Sequence, residues 1–591
     1  MNSLEIRNKF INYFIKNNHK QVDSAPVIPE GDSSVLFTTA GMQQFVPYFL
    51  GENHPKGDKL VDYQKCLRTN DIDEVGDNRH LTFFEMLGNW SIGSYFKEEA
   101  IKYSYEFLTK ELNIDPDKLS VTCFIGDEDS PKDLVAFEAW KAVGIPEDRI
   151  YFFGKDDNWW IAGETGPCGP DTEIFYDTGK ESCGENCDPS CDCGKYIEIW
   201  NNVFMEYYKD ENGYRKLTRK NVDTGMGLER ISMLLQGLET PFDLEMFKPT
   251  MEFLKENAKN DLIESRRIVS EHLRTACIII ADGGMPSNID RGYVLRRLIR
   301  RSIRHLRKLE VDFEKLTMLI NVIIDANMGL YKEMDKEREK IASVISSEKD
   351  KFLKTLIRGE KEFEKIVNRE NLIEKKEMKA ETAFKLYETY GLPIEITVEL
   401  AKDEGISVDT DKLNELFKHH QELSRAGSEK KFKGGLANTN EQTIKYHTAT
   451  HLLHKSLQEI LGKHATQKGS NITEERLRFD FAHPEKMTKE EIQKVEDLVN
   501  EKIKEGLTVT RSEMTVEEAK NIGAMGLFED KYKSLGDKVS VYSMGDFSIE
   551  ICGGPHVTNT NALGRFKIEK EESSSKGVRR IKAKLYDENN K

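Results

Sequence analysis

The sequence predicts a multidomain α+β protein, and three observations carry that prediction. The chain has 591 residues, too many for one hydrophobic core, which sets a prior of three or four domains. Residues 1–240 mix helical and strand periodicities, and residues 241–435 read as mostly helical. Residues 436–591 begin in a Gly- and Asn-rich linker and open on a helix that carries His447 and His451. We take these three spans as the expected domains.

Composition narrows the class. The net charge is −16 with both signs abundant, so any nucleic-acid partner must be held by a local patch. No apolar run reaches the roughly 18 residues of a membrane span. Met1 to Lys20 is a polar amphipathic segment rather than a secretory leader, and a cytoplasmic location is expected. Of the nine Cys, four crowd between 183 and 193, which in a cytosolic chain favours metal ligation over disulfides.

The first span is taken in order. Leu4–Ile15 has helical spacing, Pro26 to Pro29 breaks it, and Val35–Phe37 reads as a strand. Gln64–Arg68 is a short strand, Asn70–Arg79 a polar loop, and His80–Trp90 leads through a second strand. Their antiparallel pairing sets Arg68 beside Phe83–Met86, a positive fork next to an aromatic face; a buried hairpin with a surface arginine is the plainer alternative. Gly163–Pro170 is rigid and irregular beside Trp159 and Trp160. Ile197–Met205 is an apolar strand with Asn201 at its middle, either a structural hydrogen bonder or a substrate reader. Asn221–Arg230 reads as strand, tight Gly-rich turn and helix. There Asp223 could hold an ammonium and Arg230 could lie over a phosphate or purine; an ordinary capped helix start is the plainer reading.

Two clusters suggest metal. Cys183, Cys187, Cys191 and Cys193, interleaved with Gly184, Pro189 and Gly194, suit a tetrahedral thiolate zinc site of structural kind. His447 and His451, at i and i+4 of a helix continued by Leu452, Leu453 and Leu457, share one face. Cys552 and His556 in a Gly-Gly-Pro turn complete a second four-ligand zinc set. Between these clusters, Tyr293–Leu306 is an amphipathic helix carrying Arg296, Arg297, Arg300, Arg301 and Arg304, with Arg291 just before it. No acid is interleaved, which favours phosphate contact over a merely solvated face. Gly434–Asn440 is the clearest linker.

The chain resembles the alanyl-tRNA synthetases. The matching stretches are Thr39–Phe45, Phe83–Trp90, Thr165–Pro170, Ile199–Asn201, Val222–Arg230, Met285–Arg297, His447–His451, His464–Ser470 and Cys552–His556. They fall in the family's order and cover nearly the whole chain. The resemblance implies a class II aminoacyl-tRNA synthetase antiparallel-sheet core, a helical tRNA-recognition domain and an α+β zinc-containing editing domain. It implies a catalytic set of Arg68, Asp223 and Arg230, with Arg68 on the ATP α-phosphate. His80, Trp160, Ile199 and Gly227 would join the two arginines at the nucleotide, and ATP would enter with Mg²⁺. Met42, Trp160, Asn201 and Asp223 would hold alanine. Asn288, with Glu388 as its partner, would read the G3·U70 pair of the tRNA(Ala) acceptor stem, and Arg291, Arg296, Arg297 and Arg300 would contact the same tRNA. His447, His451, Cys552 and His556 would hold the editing zinc, with Gln467 in that site.

The chain departs from the usual family pattern in several places. Glu388 stands where an aspartate is usual, Leu81 where a histidine is usual, and Pro555 where a threonine is usual. The β-barrel before the editing domain and the C-terminal oligomerisation domain are missing, so a compact monomer is expected. Rival readings are a metal hydrolase of mischarged tRNA with a degenerate first domain, and a nonenzymatic tRNA-binding protein. The intact Arg68, Asn201, Asp223 and Arg230 weigh against the first, and charging activity would remove the second.

Overall fold

The computed structural model describes residues 1–29, 35–429, 440–524, 539–575 and 577–586. The chain divides into two compact units, residues 1–376 with 385–406, and residues 377–384 with 407–591.

The first unit opens with α1 (Ser3–Lys16). Asn2 accepts from the Glu5 amide at 2.9 Å and the Glu5 carboxylate accepts from the Asn2 amide at 2.9 Å, a reciprocal cap that sets the helix start. Its apolar stripe of Ile6, Phe10 and Phe14 lies on a nine-stranded sheet. The strands are β1 (Lys20–Gln21), β2 (Lys59–Leu67), β3 (Phe83–Ile92), β4 (Leu119–Phe124), β5 (Ile150–Phe153), β6 (Trp159–Ile161), β7 (Gly166–Asp177), β8 (Tyr196–Asp210) and β9 (Gly213–Gly227). Their order is β1-β2-β3-β9-β8-β7-β4-β5, with β6 on β7. β1 pairs with β2 and β4 with β5 in parallel; the other pairs are antiparallel.

Both sheet faces are covered. Leu87, Trp200, Phe204 and Val222 pack with α1 on one side. Met42, Phe45, Leu60, Trp90, Val203 and Met205 form a separate cluster on the other. Burying each large apolar side chain contributes about 2 kcal/mol. Alternation along the strands decides which residues face which cluster, except at the bulge of β8 where Ile199 and Trp200 both enter the α1-side cluster.

Two local expectations are corrected. Residues 35–37 form no strand; the guanidinium of Arg291 takes the carbonyls of Val35 (3.1 Å) and Leu36 (2.5 Å) that a neighbouring strand would have used. The expected Gly-rich turn after Asp223 is also absent. β9 runs through Gly227 and α2 (Leu228–Leu235) begins at the next residue, with Gly227 at φ −70°. Gly225 is small for a packing reason, since a Cβ there would lie 2.9 Å from Met86 Sδ.

The helical part follows with α3 (Ile263–Ala281), α4 (Asp290–Lys308), α5 (Arg338–Glu370) and α6 (Ile394–Asp403). The expected division at 240/241 falls inside the first unit. Arg274 of α3 donates to Glu229 of α2 at 2.9 Å, both buried, which joins helix and sheet. The boundary at 435/436 and residues 434–439 of the expected linker lie outside the described residues.

In the second unit α7 (Glu441–Leu461) starts at Asn440, whose side chain accepts from the Thr443 amide at 2.9 Å. Next come β10 (Gln467–Ile472), β11 (Leu477–Ala482), α8 (Lys489–Lys504), β12 (Val509–Met514), β13 (Val539–Met544), β14 (Ser548–Ile551), β15 (Arg565–Ser575) and β16 (Val578–Tyr586). One antiparallel sheet has the order β10-β11-β16-β15 and the other β12-β13-β14. Leu453, Leu457, Phe479, Phe481, Val499 and Ile581 share one core between helices and sheet. Among the described residues no helix is long and apolar enough to cross a membrane.

Candidate functional site

Register gathers the expected alanine residues on one sheet face. Asp223 stands opposite Trp90 of β3 and Val203 of β8, and Asn201 opposite Gly225. Opposed residues share a face, so Asn201 and Asp223 are diagonal neighbours. Met42, Trp160 and Met86 belong to the cluster beside them. Asp223 is buried and accepts from Trp90 Nε1 at 2.7 Å. It has no ion-pair partner among the described residues, and burial lifts its pKa to about 7 against the opposing Trp90 bond. Asn201 donates to Asp171 at 3.3 Å, while its buried Oδ1 has no partner. A buried carboxylate without a cation and a buried amide oxygen without a donor together call for a small cationic donor group.

The residues expected at the nucleotide lie where β2 and β9 end and in the loop before β3. Arg68 follows β2, is exposed, and stacks its guanidinium 4.9 Å from the Phe84 ring centroid. Arg230 in α2 is half-exposed and bonds the carbonyl and carboxylate of Glu198 at 2.8 and 2.9 Å. Gly227 leaves open space, a Cβ there meeting only Arg230 Cβ at 3.7 Å. His80 is held in the loop by Asp77, with Nδ1 2.6 Å from a carboxylate oxygen. Ile199 differs from the expectation. It sits at a β-bulge and its side chain is buried in the α1-side core, so only its backbone is available to a ligand.

The arginine stripe of α4 is not the free positive surface its sequence suggests. Glu348 of α5 takes Arg296 at 3.1 Å and Arg300 at 2.8 Å, and Arg297 pairs with Asp73 at 2.5 Å. Arg301 and Arg304 share Glu399 of α6. These acids are distant in sequence, which is why the local pattern did not reveal them. Asn288 and Glu388 are exposed, and Asn288 Oδ1 accepts from Arg296 Nη1.

Both expected metal sets come together. The donor atoms of Cys183, Cys187, Cys191 and Cys193 lie within 4.8 Å of one another, as do those of His447, His451, Cys552 and His556. In the second set each imidazole is oriented through Nδ1. His447 donates to the Pro555 carbonyl at 3.0 Å, His451 meets Glu550 at 2.7 Å, and His556 meets Thr448 Oγ1 at 3.3 Å. That turns every Nε2 inward, and those of His451 and His556 are buried with no partner. Burial would raise the Cys552 thiol, but the surrounding imidazoles hold it down at about 3, as a thiolate. Three inward imidazoles and one thiolate, each imidazole held by an outer partner, fit zinc. Gln467 opens β10 opposite Phe481.

Glu550, Asp171 and Glu173 were not foreseen. Glu550 is buried between His451 and His454, and its signal was the position two residues before Cys552. Asp171 and Glu173 oppose Val203 and Asn201, and burial raises both carboxyls.

Arg68 and Arg230 follow the ends of β2 and β9, both at the Phe83 end of β3, and Asp223 and Asn201 lie farther along the same sheet; the family comparison makes this sheet the core of a class II aminoacyl-tRNA synthetase. A family model described as tRNA synthetases class II (A) matches residues 5–495, and one described as threonyl and alanyl tRNA synthetase second additional domain matches residues 539–582. An alanine–tRNA ligase of Borrelia hermsii is 53% identical over 597 residues, covering 99% of both chains. One of Treponema denticola is 55% identical over 597 residues, covering 98% of each. A longer one, of Petrotoga mobilis, is 37% identical, covering 98% of this chain and 79% of that one. The chain belongs to the alanine–tRNA ligase family.

Proposed function

We infer that Arg68, Asp223 and Arg230 divide the alanine–tRNA ligase reaction between them on one sheet face. The observation that carries this is the buried Asp223 carboxylate, which has no cation among the described residues. Asp223 and Asn201 hold the alanine ammonium, with Met42 and Trp160 against its methyl. Arg68 and Arg230 hold ATP, which enters with Mg²⁺, and His80, Gly227 and the Ile199 backbone border the nucleotide. An alanine carboxylate oxygen attacks the α-phosphorus in line, the bond to the β-phosphate oxygen breaks, and pyrophosphate leaves. No protein nucleophile is needed; positioning and charge stabilisation carry the step. The terminal ribose hydroxyl of the tRNA then takes the alanyl group and AMP leaves.

In functional terms residues 1–240 perform the activation, residues 241–435 read the tRNA(Ala) acceptor stem through Asn288 and Glu388, and residues 436–591 edit. Arg291, Arg296, Arg297 and Arg300 face the tRNA in this reading, with their acids setting their orientation. A pocket that admits a methyl discriminates against glycine by only about 1–3 kcal/mol and rejects serine poorly, so hydrolysis of glycyl- and seryl-tRNA(Ala) is the expected remedy. His447, His451, Cys552 and His556 would hold zinc there, which supplies Lewis-acid chemistry when bound, and Gln467 borders that site. Cys183, Cys187, Cys191 and Cys193 would hold a second, structural zinc.

Alanine-dependent exchange of pyrophosphate into ATP tests the reading. Wild type should exchange, and Asp223→Asn should lose exchange through alanine KM and kcat while ATP still binds. Exchange unaffected by Asp223→Asn would overturn the assignment.

A further inference from the structure

A run of buried polar groups links α4 to the loop after Arg68, and no step above uses it. Glu271 and His272 of α3 are 0% exposed and Arg301 of α4 is 7% exposed. Arg301 Nη1 donates to the Ile72 carbonyl at 2.6 Å and lies 2.9 Å from His272 Nε2. A guanidinium only donates, so Nε2 accepts and the imidazole proton sits on Nδ1. Nδ1 lies 2.6 Å from Glu271 Oε2. The other oxygen, Oε1, accepts from the amides of Thr82 at 2.8 Å and Phe83 at 3.0 Å. Thr82 in turn gives its carbonyl to the Arg68 amide at 2.9 Å.

Donation runs from the Arg301 guanidinium through the neutral imidazole to the Glu271 carboxylate, which accepts from the Thr82 and Phe83 amides on its other oxygen, so each link is complementary. Burial keeps His272 neutral by lowering its pKa. Burial would raise the Glu271 carboxyl, but the bonds from His272 and Phe83 bring it below the usual range. Arg301 is braced from the far side by Glu399 of α6. Both ends of residues 72–82 are therefore tied to the same three side chains, and Thr82 at one end holds the backbone amide of Arg68.

We propose that Arg301, His272 and Glu271 are positioning residues for ATP, holding the loop at residues 69–82 so that Arg68 meets the reacting phosphate. The proposal rests on the reading of Arg68 as the phosphate grip. Its logic is that a buried, fully satisfied polar chain loses its order when one link is removed, because the remaining links are left unpaired.

The test uses the full chain with His272→Ala and Arg301→Lys, and Arg68→Ala alongside. The measurements are ATP and alanine KM in pyrophosphate exchange, and hydrogen exchange of the amides at 69–82. Both relay variants should raise ATP KM about tenfold or more, leave alanine KM within about twofold, and speed loop exchange. Arg68→Ala should raise ATP KM with loop protection intact. A relay that merely supports the fold would lower kcat and the active fraction with both KM values unchanged, and that result overturns the proposal. Unchanged loop protection in the relay variants also overturns it. If Arg68→Ala leaves ATP KM unaltered, the phosphate-grip reading fails, and loop protection alone decides the relay. Should His272→Ala not fold, Arg301→Lys, which keeps the charge, decides.

Discussion

Trp90 donates its indole N–H to Asp223 Oδ1 at 2.7 Å from the directly opposed position on the neighbouring strand. That one bond orients the carboxylate without neutralising it. The indole fills the cluster with Met42 and Val203, so its orientation is set by packing, and the carboxylate inherits that rigidity. A carboxylate held this way is incomplete until a cation arrives.

The pH dependence follows from burial, which moves Asp223 from 3.8 to about 7. The free site is protonated below that value, and a neutral carboxyl cannot pair with an ammonium. Alanine KM should rise about tenfold per pH unit below about 7, while ATP KM stays flat. For stability the sign is that of a raised carboxyl. The native chain keeps a proton the unfolded chain has lost, so stability falls as pH rises from 3.8 toward 7. Asp223→Asn should therefore melt higher than wild type above pH 7, by a stability gain on the order of a few kcal/mol. A flat alanine KM across this range would remove Asp223 from the ammonium site.

Gly88→Ala tests whether the indole is the support. A Cβ at Gly88 would lie 2.4 Å from Trp90 Cζ2 and Cη2 and 3.0 Å from the Thr224 carbonyl. The indole must shift, costing about 1–3 kcal/mol and tilting the Asp223 bond. Thermal melting should fall, and alanine KM should rise more than ATP KM. An equal effect on both substrates would mean that the pocket tolerates a moved indole.

Much of this was legible in the sequence because it is local. The Cys spacing, the i, i+4 His pair and the alternating apolar strands need only short-range geometry, and each met its partners in the fold. What escaped was long-range. Glu348 and Glu399 neutralise the α4 arginines from helices far along the chain. Two closely spaced glycines after Asp223 looked like a turn, whereas Gly225 is small because Met86 crosses it. Glycine in a sequence announces closeness without saying whether the chain bends or is crossed. The Asp223–Trp90 bond depends on register, which no single strand reveals.

The acceptor-stem reading predicts a split between substrates. Asn288→Ala should reduce charging of tRNA carrying G3·U70 strongly while leaving adenylate formation unchanged. Asn288 is exposed, so its loss should leave thermal stability within about 0.5 kcal/mol. Equal losses in charging and exchange would refute the role.

Metal analysis separates the two zinc sets. The wild-type chain should carry about two zinc ions. Cys191→Ser should lower this to one and leave deacylation of seryl-tRNA(Ala) intact, because that thiol belongs to the 183–193 cluster. One zinc in the wild type would mean that this cluster is empty or oxidised.

Glu550 gives the sharpest test of the editing centre. It is buried, touches His451 Nδ1 at 2.7 Å and His454 Nδ1 at 3.3 Å, and its carboxyl is held below the usual range by those imidazoles despite burial. A carboxylate behind a ligand imidazole fixes its ring orientation, and removing such a partner typically weakens metal affinity by about 10–100-fold. Glu550→Gln should therefore retain zinc less tightly against a chelator and slow deacylation of seryl-tRNA(Ala). Cys552→Ala should abolish deacylation outright. Alanine activation should persist in both variants, because neither Glu550 nor Cys552 belongs to the set of Arg68, Asn201, Asp223 and Arg230 assigned to activation. Deacylation that survives Cys552→Ala would place editing chemistry elsewhere in the chain. Zinc held by Glu550→Gln as tightly as by wild type would show that His451 needs no carboxylate behind it.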